Sequence, residues 1–152
     1  MATRSEKKEK RQAKQLADTE SLVPREWLDH VQDLLFSQDQ DPEAIAACLD
    51  RLSEAMQRRF AREEASGRYE EAIYQEPSLT ALAESLRREH GELLAELQEL
   101  RQEFVAAHGS PRNWRKFCDR FGEFCEDYLE HETNEQTLTP DGMAGNDRGF
   151  RQ

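Results

Sequence analysis

The stretch SPRNWRKFCDRFGEFCEDYLEHETNEQTL, residues 110–138, predicts one long amphipathic helix. Ser110 followed by Pro111 is typical of a helix start, because serine caps the first turn and proline fits its first position. Apolar side chains then recur at alternating steps of three and four residues, which puts them on one helical face. The same face also carries His131 and Glu135. The pattern therefore predicts a helix that directs an imidazole and a carboxylate into the core.

Three other stretches show the same periodicity, and each follows its own start signal. They begin near SLVPREW at residues 21–27, DPEA at 41–44 and EPSLT at 76–80. Gly67 marks either the end of the second helix or a point inside its continuation, since glycine is compatible with both. Four amphipathic helices with short connections predict an all-α, antiparallel four-helix bundle over residues 21–139.

Polar residues interrupt the apolar stripes of the other helices as well. Burying a charge or an unpaired imidazole costs several kcal/mol unless a metal or a hydrogen-bonded network compensates. Counting from the connections puts Glu63, His90 and His131 at one level of the bundle, with Glu135 one turn away. His30, in the stripe of the first helix, lies roughly 15 Å from that level on the same count. Imidazoles and carboxylates that converge from three helices are typical of a transition-metal site.

Three segments resemble the helix signatures of the hemerythrin-like (HHE cation-binding) family: RRFAREE, LRREHGELLAELQEL and YLEHETNEQTL. The resemblance spans residues 22–138 and implies a four-helix bundle that holds two iron ions between histidine and carboxylate side chains. It further implies a set of metal ligands in this chain, with Glu63 as the bridging carboxylate: His30, Glu63, His90, His131 and Glu135.

The chain also departs from the family pattern. Arg59 stands where the second helix of the family offers a histidine, and a guanidinium does not bind metals because it is never deprotonated. Leu86 and Leu94 occupy the positions one turn either side of His90, so the third helix offers one histidine only. The sequence leaves open whether Tyr69 or Tyr74 reaches the site.

Two interpretations follow for the cofactor and the function. In the first, one or two iron ions, or a manganese or zinc ion, bind a reduced site, and the protein binds metal or senses oxygen or another small ligand. In the second, no metal binds, and Arg59 supplies the positive charge that satisfies Glu63 and Glu135. The protein is then a structural or protein-interaction module. The sequence leaves both interpretations open.

Charge and cysteine content bound the remaining possibilities. The net charge is −11, yet residues 1–15 are basic. We therefore predict a flexible basic leader at residues 1–20, which could dock on an acidic partner, and an irregular tail at 140–152. The acidic body predicts no nucleic-acid or membrane partner. Three cysteines without a C-x-x-C motif predict reduced thiols and a cytoplasmic location. We find no catalytic motif and expect a protein that is not an enzyme.

Overall fold

A computed structural model describes residues 22–38, 40–107 and 109–138, and this part of the chain is all-helical, without a strand. Its five α-helices are α1 (Pro24–Leu35), α2 (Pro42–Ala65), α3 (Arg68–Gln75), α4 (Thr80–Ala107) and α5 (Pro111–Leu138). A 3₁₀ turn, Pro77–Leu79, precedes α4. The predicted leader at 1–20 and tail at 140–152 lie outside the described residues. Within the described part, no helix is long and apolar enough to cross a membrane.

The start signals of α2 and α5 act as the sequence predicts. The Asp41 carboxylate accepts hydrogen bonds from the backbone N–H groups of Glu43 and Ala44, at 3.0 and 3.4 Å. The Ser110 hydroxyl accepts one from the N–H of Asn113 at 3.4 Å. These side chains satisfy N–H groups that have no partner inside the helix. Both helices then begin with proline.

Gly67 ends α2, which settles the alternative that the sequence left open. Its φ of +77° lies in the left-handed region, which side chains with a Cβ rarely adopt. The chain turns at this residue and resumes as the short helix α3. Gly67 therefore sets the direction in which α3, and with it Tyr69, leaves the end of α2.

The same substitution at two glycines should change stability in opposite directions. We expect Gly67→Ala to lower the free energy of unfolding by about 1 kcal/mol, because alanine resists positive φ. Gly122→Ala, inside α5, should raise it by about 0.5–1 kcal/mol. Neither new Cβ meets an atom within 4 Å, so sterics do not contribute. Urea unfolding of both variants measures the difference, and equal signs would contradict the backbone argument.

Buried apolar side chains form two separate clusters. The larger cluster takes residues from α1, α2, α4 and α5. The smaller cluster takes residues from α3, the start of α4 and the end of α5: Tyr69, Ala72, Ala83, Leu86 and Leu138. On α4, His90 lies between Leu86 of the smaller cluster and Leu93 of the larger one. The two clusters are therefore separated by polar residues.

The predicted inward faces of α2, α4 and α5 agree with the observed burial, whereas that of α1 was wrong. The sequence stripe put His30 inward, but His30 is exposed. The buried side chains of this helix include Leu28, Val31 and Leu35 instead. These form a more apolar stripe offset by about one residue, and burying it removes more apolar surface from water. Trp27 belongs to both stripes, which is why the pattern was ambiguous.

Contacts between helices fix which of their ends meet. Phe104 packs against Phe117 close to the short α4–α5 connection, with ring centroids 5.5 Å apart. Farther from that connection, Nε2 of His90 lies 3.0 Å from Oε1 of Glu135. The start of α4 thus lies beside the end of α5. Similarly, Arg101 late in α4 pairs with Asp50 early in α2 at 3.0 Å.

Candidate metal centre

Four polar side chains meet between the two apolar clusters. Glu63 comes from α2, His90 from α4, and His131 and Glu135 from α5; none is more than 8% exposed. One potential ligand atom from each lies within 4.8 Å of the other three. We call these residues the quartet. The structure brings together four of the five residues singled out in the sequence, and it leaves out His30, whose exposed ring lies against Trp27.

Both histidines of the quartet direct Nε2 toward the carboxylates. Nε2 of His90 lies 3.0 Å from Oε1 of Glu135 and 3.4 Å from Oε2 of Glu63. Nε2 of His131 contacts the same Oε1 of Glu135. Two imidazole nitrogens and two carboxylates therefore face one another at the centre of the quartet. Nitrogen and oxygen donors in this combination suit Fe, Mn, Co and Zn ions.

The outer nitrogens of the histidines face further carboxylates. Nδ1 of His90 lies 3.2 Å from Oε1 of Glu64, and Nδ1 of His131 lies 3.6 Å from Oε1 of Glu89. Histidines that bind metals commonly donate their other N–H to a carboxylate, which fixes the ring and its tautomer. Glu64 is within hydrogen-bonding distance, and Glu89 is slightly beyond it. The surroundings of His90 therefore match those of a metal-binding histidine, and Glu89 lies near the corresponding position at His131.

Arg59 lies at the edge of the quartet. Its Nε donates to Oε1 of Glu63 at 3.0 Å, and its Nη1 lies 3.1 Å from Oε1 of Glu132. The Arg59 side chain is 32% exposed. The sequence interpretation paired Arg59 with Glu63 and Glu135, but the observed partners are Glu63 and Glu132. The guanidinium thus satisfies one oxygen of one quartet carboxylate.

Several buried donor and acceptor atoms of the quartet lack a hydrogen-bond partner within the described part of the chain. They are Oε2 of Glu63 and both ring nitrogens of His131, whose close contact with Glu135 lacks hydrogen-bond geometry. An unsatisfied buried polar group costs about 1–3 kcal/mol. Such groups are rare in folded proteins, and a bound ion or an ordered water often satisfies them. The quartet therefore fits a metal that would bind these atoms.

The quartet favours positive charge at its centre. Burial alone would lower the pKa of His90, but the neighbouring carboxylates of Glu135, Glu63 and Glu64 outweigh it and raise the pKa to about 9. Burial would raise the pKa of Glu135, but its close contacts with the His131 and His90 imidazoles hold it below its ordinary value. In the metal-free protein, a proton on His90 therefore supplies part of the positive charge that a bound cation would bring.

These pKa shifts predict how stability depends on pH without metal. A raised histidine pKa stabilises fully below the unfolded value of 6.5, and this stabilisation is lost as the pH rises through about 9. We expect the free energy of unfolding to fall by about 1–3 kcal/mol over this interval. The lowered pKa of Glu135 adds stability that is lost below its ordinary value of 4.5. Urea titrations in chelator measure the profile, and His90→Gln should flatten its alkaline side.

Two aromatic residues complete the surroundings of His90. Phe60 stacks on the imidazole, with ring centroids 4.0 Å apart and planes at 8°. The Tyr69 hydroxyl lies 3.1 Å from Nε2 of His90. The sequence left open whether Tyr69 or Tyr74 reaches the site; Tyr69 is buried, whereas Tyr74 is 87% exposed. Burial and nearby carboxylates raise the pKa of Tyr69, so its hydroxyl is protonated without metal.

Sequence reasoning missed three carboxylates around the quartet. Glu64, Glu89 and Glu132, which we call the flanking acids, each directly adjoin a quartet residue in sequence. Each contacts a residue of a different helix rather than its neighbour. The sequence could have revealed these acids, because it places each one next to a quartet residue, in the pairs Glu63-Glu64, Glu89-His90 and His131-Glu132. A residue adjacent to an inward position points about 100° away around a helix, toward the next helix.

Comparison with known proteins found no matching family model, no matching curated protein and no matching solved structure. The resemblance to hemerythrin-like proteins therefore depends on the motifs quoted above. Metal binding by the quartet stays a prediction that the geometry motivates.

Proposed function

We propose that this protein is a hemerythrin-like, antiparallel four-helix bundle that binds a transition-metal ion through Glu63, His90, His131 and Glu135. Its role would be to bind metal or to sense oxygen or another small ligand. The observation that carries the proposal is the convergence of four donor groups within 4.8 Å, among them buried atoms without hydrogen-bond partners. Free thiols at Cys48, Cys118 and Cys125 favour a cytoplasmic location.

The packing of the helices supports the bundle. Contacts place the start of α4 beside the end of α5, and the end of α4 beside the start of α2. The helices α1, α2, α4 and α5 share the larger apolar cluster. The fifth helix, α3, has eight residues and would be an addition that closes one end of the bundle. Metal sites in such bundles are formed by inward side chains of facing helices.

The charges of the quartet support a divalent or higher cation. Metal binding requires both histidines to be neutral, so Glu63 and Glu135 then contribute two negative charges in a buried layer. Arg59 has Glu132 as a second partner, so its charge is shared with a carboxylate outside the quartet. A metal ion would balance the two quartet carboxylates and accept lone pairs from both imidazoles, and so would remove the cost of burying them.

A second candidate is a metal-free bundle that serves as a structural or protein-interaction module. The ion pair between Arg59 and Glu63 favours it, because this guanidinium stands where the family has a ligand. Against it, Arg59 leaves Oε2 of Glu63 without a partner and has no contact with Glu135 among the interactions of the described residues. The geometry therefore favours the metal-binding function.

Elemental analysis of protein purified without a histidine tag tests the proposal. The protein is incubated anaerobically with ferrous iron, or separately with zinc or manganese, and freed of unbound metal. About one bound ion per chain supports the proposal, because the quartet supplies four ligands. An absorption spectrum before and after exposure to oxygen then tests the sensing role. Less than about a tenth of an equivalent of every metal would leave the metal-free module as the better account.

A further inference from the structure

Tyr69 brings a further polar group to the quartet. Its hydroxyl contacts Nε2 of His90, which is the nitrogen that faces Glu135 and Glu63. It does not contact Nδ1, whose partner is Glu64. The phenolic oxygen thus lies on the same side of the imidazole as the carboxylate oxygens. A metal bound to Nε2 would therefore occupy the place toward which the hydroxyl points.

The position of Tyr69 depends on the break in the helix at Gly67. After Gly67, α3 packs against the start of α4 and the end of α5, and Tyr69 and Leu138 belong to the same small cluster. Tyr69 is 3% exposed, so its partners lie within the protein rather than in bulk water. Arg87 lies over the outer face of the ring, with its guanidinium carbon 5.2 Å from the centroid. The smaller cluster and Arg87 therefore both hold the Tyr69 side chain in place.

We propose that Tyr69 supplies a third anionic oxygen ligand and that the site thereby suits ferric iron better than a divalent ion. This inference rests on the proposed metal-binding function. When a ferric ion binds, the phenolic proton is released to solvent and the phenolate oxygen binds the metal. Glu63, Glu135 and Tyr69 then carry three negative charges, which balance the three positive charges of the ion. A neutral assembly is the least costly one in a buried layer.

The experiment compares ferric and zinc binding by wild type, Tyr69→Phe and Tyr128→Phe. Tyr128 is a suitable control because it is also a buried tyrosine beside Phe60, and its hydroxyl has no hydrogen-bond partner in the described part of the chain. Each protein is loaded with ferric nitrilotriacetate, and iron content and visible absorption are measured on the same sample. Zinc affinity is measured by competition with a chromophoric chelator.

We expect wild type and Tyr128→Phe to bind iron and to show a phenolate-to-iron charge-transfer band. Tyr69→Phe should lose the band, and its ferric affinity should fall by at least about tenfold, while its zinc affinity changes by less than about threefold. Bound iron without a band in wild type, or a band that persists in Tyr69→Phe, overturns the inference and leaves the proposed function intact. Equal loss of iron and zinc in Tyr69→Phe overturns it as well, because that result assigns Tyr69 a structural role. Absence of both metals from wild type overturns the proposed function itself.

Discussion

Replacing His131 by alanine is expected to abolish metal binding while the helices remain folded. The imidazole is 1% exposed, and its nitrogens have no hydrogen-bond partner among the described residues, so its loss removes a ligand without breaking a hydrogen-bonded network. Loss of a group that merely supports a ligand costs 10–100-fold in affinity, so loss of the ligand itself should cost at least about 100-fold. Isothermal titration with zinc and iron analysis measure the change.

His30→Ala is the matched control for this experiment. His30 belongs to the ligand set that the family resemblance implies, yet it is exposed on α1. We expect this variant to bind metal as the wild type does. At metal concentrations about 100 times the dissociation constant, wild type and His30→Ala should each gain about 2.7 kcal/mol in unfolding free energy, and His131→Ala should gain almost none. Unchanged binding by His131→Ala, or loss of binding by His30→Ala, contradicts the assignment of the quartet.

Replacing Arg59 by leucine should distinguish the two candidate functions, because they predict different losses in the free energy of unfolding. If the quartet binds a metal, Arg59 contributes only a partly exposed ion pair. Its loss should then lower the free energy of unfolding by about 1 kcal/mol or less. It should also free Oε1 of Glu63, so that metal affinity is unchanged or higher. If Arg59 replaces the metal, its loss leaves buried carboxylates uncompensated and should cost about 3–5 kcal/mol. Urea unfolding in chelator measures the change in the free energy of unfolding, and metal titration of the same preparation measures the change in metal affinity.

Arg101→Leu provides the reference for an ordinary ion pair whose arginine is equally exposed. The Arg101 and Arg59 side chains are each 32% exposed, and Arg101 pairs with Asp50 across α4 and α2, away from the quartet. We expect the two variants to lose similar amounts of stability. A loss for Arg59→Leu that exceeds that of Arg101→Leu by more than about 2 kcal/mol would favour the metal-free module.

The helices and most of their inward faces could be predicted from the sequence because local signals agreed with the core pattern. The Asp41 cap followed by Pro42 is one such signal, and the aromatic stripe of α5 is another. The face of α1 could not be predicted, since Trp27 belongs to two competing stripes and only packing decides between them. The end of α2 was equally open, because glycine alone does not reveal whether its φ is positive.

The quartet could be predicted because helix geometry converts residue counts into depth. Counting from the connections put Glu63, His90 and His131 at one level, and the structure brings their ligand atoms together. The same count already separated His30 from that level. Tyr69 could not be assigned by counting, because its position depends on the direction of the chain after Gly67. The flanking acids were missed because they contact other helices, and sequence spacing does not reveal such partners.

The polar layer between the two apolar clusters has a consequence for hydrogen exchange. The smaller cluster joins the rest of the molecule through the quartet rather than through continuous apolar packing. We therefore expect amide protons of α3 and of the last turns of α5 to exchange through a local opening that leaves the larger cluster intact. An ion that bridges α2, α4 and α5 would suppress this opening. The exchange rates of the amides in α3 and in the last turns of α5 would then report whether the site is occupied, even for a metal that does not absorb visible light.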